Sequence, residues 1–137
     1  MILKRVIILL WLIICNQESS WSQNFEFVSF NIRYDTEADG ENRWGNRKQE
    51  GASYLEKINP TAFGIQEGLK HQVDYLNDNL TDYEYIGVGR DDGLTKGEYS
   101  AIFYKVEQAI LLASGTFWLS ESPEVVSVGW DASMERI

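Results

Sequence analysis

Cysteine and positive charge are scarce in this sequence of 137 residues. Its one cysteine, Cys15, lies in the amino-terminal leader described below, so the rest of the chain has no cysteine for a disulfide framework, a thiolate metal site or a nucleophile. Lys and Arg number 12 against 21 Asp and Glu, a net charge of −9. This acidity disfavours non-specific binding to nucleic acid or anionic membranes, which needs clustered basic residues. Hydrolysis of phosphate esters stays open, because a metal ion can supply the positive charge.

Long hydrophobic runs are absent as well. The run at residues 6–15 has ten residues, whereas a helix needs roughly 20 to span a bilayer. Lys4 and Arg5 precede it, and a small residue, Ser22, ends the polar stretch that follows. This order is typical of a secretory signal peptide, here residues 1–22.

A cleaved signal peptide predicts a secreted or periplasmic protein with no stable transmembrane segment. The domain would then cover residues 23–137, with a net charge of −10, because residues 1–22 hold two basic residues and one acidic one. Lipid attachment at Cys15 is the less favoured alternative, since Ile14 stands where a small residue is expected.

Hydrophobic periodicity predicts alternating strands and helices in the remaining chain. We expect strands at 24–34, 61–66, 83–88, 99–104 and, weakly, 109–117, with helices at 47–58 and 71–80. The first strand carries apolar residues on both faces, which predicts that it is buried. This order indicates an α/β fold with a mixed sheet and both helices on one face. The opposite face would need cover that the sequence does not obviously supply.

Two polar residues stand where the pattern predicts apolar strands. Asn31 interrupts the first strand, and Glu67 ends the second. A carboxylate at such a place is costly to desolvate unless a cation or hydrogen bonds compensate. Amide and carboxylate oxygens suit Mg²⁺, Mn²⁺ or Ca²⁺, so the two residues are candidates for part of a metal site. The alternatives are a helix-start carboxylate for Glu67 and a buried amide bonded to backbone for Asn31.

Five short motifs, in order and with suitable gaps, resemble the amino-terminal half of the endonuclease/exonuclease/phosphatase family, in its secreted bacterial branch. They are SFNIRYD at 29–35, GIQEG at 64–68, GVGRDDG at 87–93, GEYSAIFY at 97–104 and GTFWLSESP at 115–123. The resemblance implies a four-layer α/β sandwich, of which this chain would supply about one sheet with its outer helices. It also implies hydrolysis of a phosphate ester, with a metal ion stabilising the charge that develops at phosphorus.

The resemblance also implies roles for five residues. Asn31 and Glu67 match the family's residues that help to bind the catalytic Mg²⁺, with Mn²⁺ or Ca²⁺ as alternatives. Arg90 lies in a loop similar to the family's substrate-side loop and would pair with a phosphate oxygen, the alternative being a solvated turn. Trp44 and Arg47 match a W-x-x-R pattern that would line the entrance to the substrate site, or else cap the core edge beside a helix start.

Three further motifs of the family do not occur in this sequence: Asn-x-His-x-Asp, Gly-Asp-x-Asn and Ser-Asp-His. The only histidine, His71, lies upstream of where the family's catalytic histidines occur and is interpreted as a surface or supporting residue. We therefore expect the amino-terminal part of a phosphoesterase, inactive alone, whose substrate (DNA, RNA, sphingolipid, inositol phosphate or another ester) the sequence does not specify. The alternative is a non-catalytic binding module whose open sheet is completed by a partner chain.

Overall fold

A computed structural model describes residues 24–137, so the predicted signal peptide and Cys15 lie outside the described residues. The described part holds β1 Phe27–Asn31, a 3-10 helix Glu37–Asn42, α1 Trp44–Ile58, β2 Ala62–Gly68, α2 Lys70–Asn79, β3 Tyr83–Ile86 and β4 Tyr99–Lys105. None of the helices in this part combines the length and apolar character needed to cross a membrane.

The strands form one mixed sheet in the order β1-β2-β4-β3. β1 and β2 are parallel, and α1 connects them as a crossover. β4 is antiparallel to both β2 and β3 and lies between them. The predicted α/β fold with a mixed sheet is therefore confirmed, and it brings the carboxyl ends of β1 and β2 to one edge of the sheet.

Both helices pack on one face of the sheet, as the sequence predicts. Their apolar stripes join the inward side chains of the strands in one buried cluster: Ala52, Leu55, Val73, Leu76, Phe63, Ile65, Ala101 and Phe103. Phe63 and Phe103, paired across β2 and β4, stack with ring centroids 4.7 Å apart. Removal of this apolar surface from water is the main interaction that holds the helices on the sheet.

Two local predictions are wrong. The first strand is not buried on both faces, because the side chains of β1 alternate between exposed and half-buried, and Phe27 is 74% exposed. The predicted weak strand at 109–117 does not form within residues 24–137, where Ile110 and Leu112 are largely exposed. β4 precedes this segment and already pairs with a strand on each side, so the segment cannot fold back on it as a hairpin.

The sheet face opposite the helices is the more polar one. The register places Ser29, Gly64 and Ile102 in one row, with Asn31 and Gln66 in the next row. Ile102 is 48% exposed and lines a cleft of about 550 Å³ at the β3–β4 side of this face, together with residues 114–116 and 124–126. This face is therefore open to solvent in the described part of the chain.

Candidate functional site

Asn31 and Glu67 end neighbouring strands and lie side by side. Parallel strands present their carboxyl ends at the same edge of a sheet, and the register pairs Asn31 of β1 with Gln66 of β2. The Asn31 Nδ2 donates a hydrogen bond to Glu67 Oε1 at 2.8 Å. The structure thus brings together the two candidate metal ligands, at the edge where α/β sheets bind ligands.

Two backbone amides complete the surroundings of this pair. The Arg33 N–H donates to Asn31 Oδ1 at 2.8 Å, and the Tyr34 N–H donates to Glu67 Oε2 at 3.3 Å. The hydrogen bond from Asn31, the Tyr34 amide and the nearby Arg33 charge together hold the pKa of Glu67 below its ordinary value, against a smaller desolvation effect. The carboxylate is therefore ionised at neutral pH and available to a cation.

The backbone is left-handed at Glu67 itself, with a φ of 62°, and at nearby Arg33, with a φ of 59°. This conformation costs a non-glycine residue about 1 kcal/mol or more. At Glu67 it coincides with an irregularity in the β2–β4 register between Ile65 and Gly68. Irregularities of this kind turn side chains out of the regular alternation of a strand, and here the turned side chain is the candidate ligand.

A groove of about 160 Å³ connects this pair with Arg90 and Glu98. Arg90 donates from Nη1 to Glu98 Oε2 at 3.1 Å and from Nε to Asp91 Oδ1 at 3.2 Å, and its side chain is 15% exposed. A guanidinium has five N–H donors, so donors remain for a phosphate oxygen. The larger cleft on the open sheet face includes neither Asn31 nor Glu67, so cavity size alone does not mark this site.

Trp44 and Arg47 lie outside the lining of that groove. Trp44 is buried and meets Tyr75 edge-on, with ring centroids 5.8 Å apart. Arg47 donates from Nη1 to the Ile32 carbonyl at 2.5 Å and from Nη2 to the Arg33 carbonyl at 2.9 Å. The described contacts of both residues are therefore made with the protein itself, and their part in substrate binding stays a prediction.

The sequence interpretation missed Gln72 and Glu98. Gln72 is fully buried on α2 and donates from Nε2 to the Arg33 carbonyl at 3.0 Å. An available signal was its position on the apolar stripe of α2, where a polar side chain needs buried partners. His71, its neighbour, is 55% exposed at the side chain, and its Nε2 lies 2.9 Å from Asp35 Oδ2.

The donor set at the strand ends fits a hard divalent cation in part. Glu67 offers an ionised carboxylate, and the Asn31 Oδ1 keeps a lone pair beyond the one that accepts from the backbone. Mg²⁺ commonly takes one or two carboxylates from a protein and completes its shell with water and substrate oxygens. Within the described residues, no group of three or more His, Cys, Asp or Glu side chains is arranged to hold a metal. Asn31 and Glu67 therefore suit part of a Mg²⁺ shell.

Neither a family model nor a curated protein matches the chain. Solved structures do: an endonuclease/exonuclease/phosphatase from Bacteroides vulgatus is 40% identical with a TM-score of 0.81, over 84% of this chain and 44% of its own. A mannosyl-6-phosphatase from Bacteroides thetaiotaomicron is 41% identical with a TM-score of 0.79, over 82% of this chain and 43% of its own. A family protein from the same species is 42% identical with a TM-score of 0.78, over 82% and 42%.

The chain spans less than half the length of these solved relatives, which fits the amino-terminal portion that the five motifs indicate. The similarity extends over most of the described chain, in sequence as well as in fold. On this evidence the chain belongs to the endonuclease/exonuclease/phosphatase family.

Proposed function

We propose that this chain forms the metal-binding part of a hydrolase of phosphate esters. The observation that carries the proposal is the Asn31–Glu67 pair, an amide and an ionised carboxylate held together at the ends of two parallel strands. Family membership supports it, because one solved relative is a phosphatase. Mg²⁺ is the proposed ion, and Mn²⁺ or Ca²⁺ are alternatives for an oxygen-only site.

The site residues have separate tasks in this proposal. Glu67 and the Asn31 Oδ1 hold the ion, while the amides of Arg33 and Tyr34 fix the two side chains. An ion held by these two residues would supply positive charge that stabilises the charge developing on a phosphoryl oxygen. Arg90 donates to another oxygen of the same phosphate, because its guanidinium is fixed at the wall of the same groove.

A sugar phosphate monoester is the first substrate to test. The support is the 41% identical relative, which is named a mannosyl-6-phosphatase. The acidity of the chain agrees with a small substrate better than with a long polyanion. The test compares the rates at which the whole protein hydrolyses hexose 6-phosphates, p-nitrophenyl monoesters and p-nitrophenyl diesters. A preference for diesters would contradict this assignment and leave the metal site unaffected.

Metal binding is tested on the full chain by two titrations. Electron paramagnetic resonance detects the binding of Mn²⁺, and calorimetry detects the binding of Mg²⁺. Glu67→Gln keeps the shape of the side chain and removes its charge, so we expect affinity to fall by about tenfold or more. Glu56→Gln makes the same charge change at an exposed position of α1 and should leave affinity within about twofold. Equal affinities of wild type and Glu67→Gln would refute the assignment of Glu67.

We also propose that the chain alone does not hydrolyse phosphate esters. The support is the family relationship, since the matched part covers only 44% of the relative from Bacteroides vulgatus. The test is hydrolysis of bis-p-nitrophenyl phosphate by the 137-residue chain with Mg²⁺. Turnover that Glu67→Gln abolishes would show that the chain is active by itself.

Export remains a separate proposal, supported by Lys4, Arg5 and the short apolar run that follows them. Expression in a bacterium and sequencing of the periplasmic product from its amino terminus would test it. We expect the product to begin at Gln23. An uncleaved product that begins at Met1 and stays inside the cell would contradict cleavage and export.

A further inference from the structure

The segment 33–35, between β1 and the 3-10 helix, contacts both candidate ligands. Its first two amides are the donors to the Asn31 and Glu67 side chains. Neither donor belongs to a helix or a strand, so the sheet ladder does not fix them. The left-handed backbone at Arg33, with a φ of 59°, adds a conformation that the residue does not prefer. The segment therefore needs partners elsewhere in the fold to keep this shape.

Gln72 supplies two of those partners from α2. Its Nε2 donates to the Arg33 carbonyl at 3.0 Å, and its Oε1 accepts from the Asp35 N–H at 3.3 Å. One amide side chain thus bonds to both ends of the segment. The side chain has no solvent exposure, so water does not substitute for these bonds without opening the core.

The same Oε1 of Gln72 also accepts from the Leu69 N–H at 3.0 Å, at the start of α2. Capping a helix is an ordinary structural task and needs only this one bond. The bonds to Arg33 and Asp35 cross 39 and 37 residues of sequence and contribute nothing to the helix start. They are the contacts that a capping role leaves unexplained.

Arg47 of α1 bonds to the start of the segment and to the residue before it. Its guanidinium donates to the carbonyls of Ile32 and Arg33 at 2.5 Å and 2.9 Å. The Arg33 carbonyl therefore accepts from both helices, through Gln72 and through Arg47. With the carbonyl directions fixed, the directions of the adjoining N–H groups follow, because each peptide unit is planar.

We propose that Gln72, together with Arg47, is a positioning residue for the metal-binding pair: it fixes segment 33–35, whose amides orient Asn31 and Glu67. The proposal rests on the proposed function, since it concerns the same site. It extends that function by assigning the orientation of the ligands to two helix residues that do not touch the groove. Removing such outer partners commonly weakens metal binding by about 10-fold to 100-fold.

The test uses the full chain and two readouts, one of which needs no metal. Gln72→Met keeps the length and volume of the side chain and removes its hydrogen bonds. Amide hydrogen exchange of Arg33 and Tyr34 should become about tenfold faster, and the affinity for Mn²⁺ should fall by about tenfold. Val73→Ala is the matched control, because it removes packing from the adjacent buried residue and none of these bonds. It should lower the melting temperature and leave both readouts within about twofold of wild type.

The outcomes separate this inference from the proposed function. Wild-type exchange rates in Gln72→Met, or faster exchange with unchanged Mn²⁺ affinity, would overturn the positioning role. If the wild-type chain binds no Mn²⁺, the proposed metal site fails. In that case the positioning role is tested without metal: faster exchange at Arg33 and Tyr34 and shifted Asn31 side-chain amide resonances in Gln72→Met support it, and unchanged values contradict it. Should Gln72→Met not fold, Arg47→Lys carries the same two measurements, because a lysine ammonium cannot span both carbonyls as the guanidinium does.

Discussion

Gly68 ends β2 at a point where an added side chain would be crowded by buried neighbours. A methyl group added there would lie 3.0 Å from the Ile32 Cδ1, 3.2 Å from the Ile65 Cδ1 and 3.5 Å from the Val73 Cγ2. Two of these contacts are tighter than ordinary van der Waals contact, and all three side chains are at most 1% exposed. Gly68→Ala should therefore lower the free energy of unfolding by about 1–3 kcal/mol, the usual cost of overpacking a core.

Gly51→Ala is the matched control for this prediction. Gly51 lies within α1, and a methyl group there would meet no atom within 4 Å. The better helix propensity of alanine should raise the free energy of unfolding by roughly 0.5–1 kcal/mol. The same change from glycine to alanine should therefore lower the free energy of unfolding at position 68 and raise it at position 51.

Urea unfolding of wild type, Gly68→Ala and Gly51→Ala, followed by circular dichroism, measures both changes. For a domain of this size, each kcal/mol corresponds to about 4 °C in melting temperature. A Gly68→Ala protein as stable as wild type would refute the packing described around β2. A destabilised Gly51→Ala protein would instead contradict the assignment of α1.

Other predictions concern the groups with shifted pKa values and the core. Because the folded pKa of Glu67 lies below its ordinary 4.5, its stabilising effect is present above pH 4.5 and is lost as the pH falls through the folded pKa. Wild type should therefore lose more stability than Glu67→Gln when the pH falls from 7 into the acid range, measured as the shift in the urea midpoint. An equal shift in the two proteins would contradict the lowered pKa of Glu67. Asn31→Ala removes the largest cause of this depression and should raise the pKa of Glu67, as followed by carboxyl carbon NMR. Burial raises the pKa of Tyr83 to about 12, so stability linked to this phenol should persist below pH 10 and be lost as the pH rises through about 12. The pKa values of Tyr99 and Tyr104 are raised as well, so ultraviolet titration should show several late tyrosines, and Tyr83→Phe should remove the one that titrates near pH 12. Leu55→Ala, at a residue with no exposure, should cost about 2–5 kcal/mol in urea unfolding.

The sequence predicted the fold best where one face of an element is apolar and the other is not. Both helices were expected within three residues of their observed starts, because their stripes repeat at helical spacing. The segment 109–117 was predicted as a strand from its apolar residues alone. A strand also needs a neighbour with free backbone groups, and β4, the strand that precedes this segment, has both of its edges paired. The local pattern carries no information about whether such an edge is free.

The candidate site was predictable in part for the same reason. Asn31 and Glu67 stood out because a polar residue in an apolar strand needs compensation, and the motif resemblance singled out the same residues. Arg90 came from the motif alone. Its partner Glu98 could not be inferred, because the two residues are eight positions apart in an irregular loop and their contact depends on how that loop folds. Gln72 carried only a weak signal, one polar residue on an apolar helix stripe.

The sequence by itself determined both helices, four of the five predicted strands and the family, because these follow from local patterns and short motifs. It also determined that the domain lacks cysteine and is strongly acidic. Only the tertiary structure decided that the Asn31 amide meets the Glu67 carboxylate and that Gln72 bonds to segment 33–35. Those contacts cross 36 and 39 residues, so they depend on strand order, register and helix placement, which arise from packing the whole chain together.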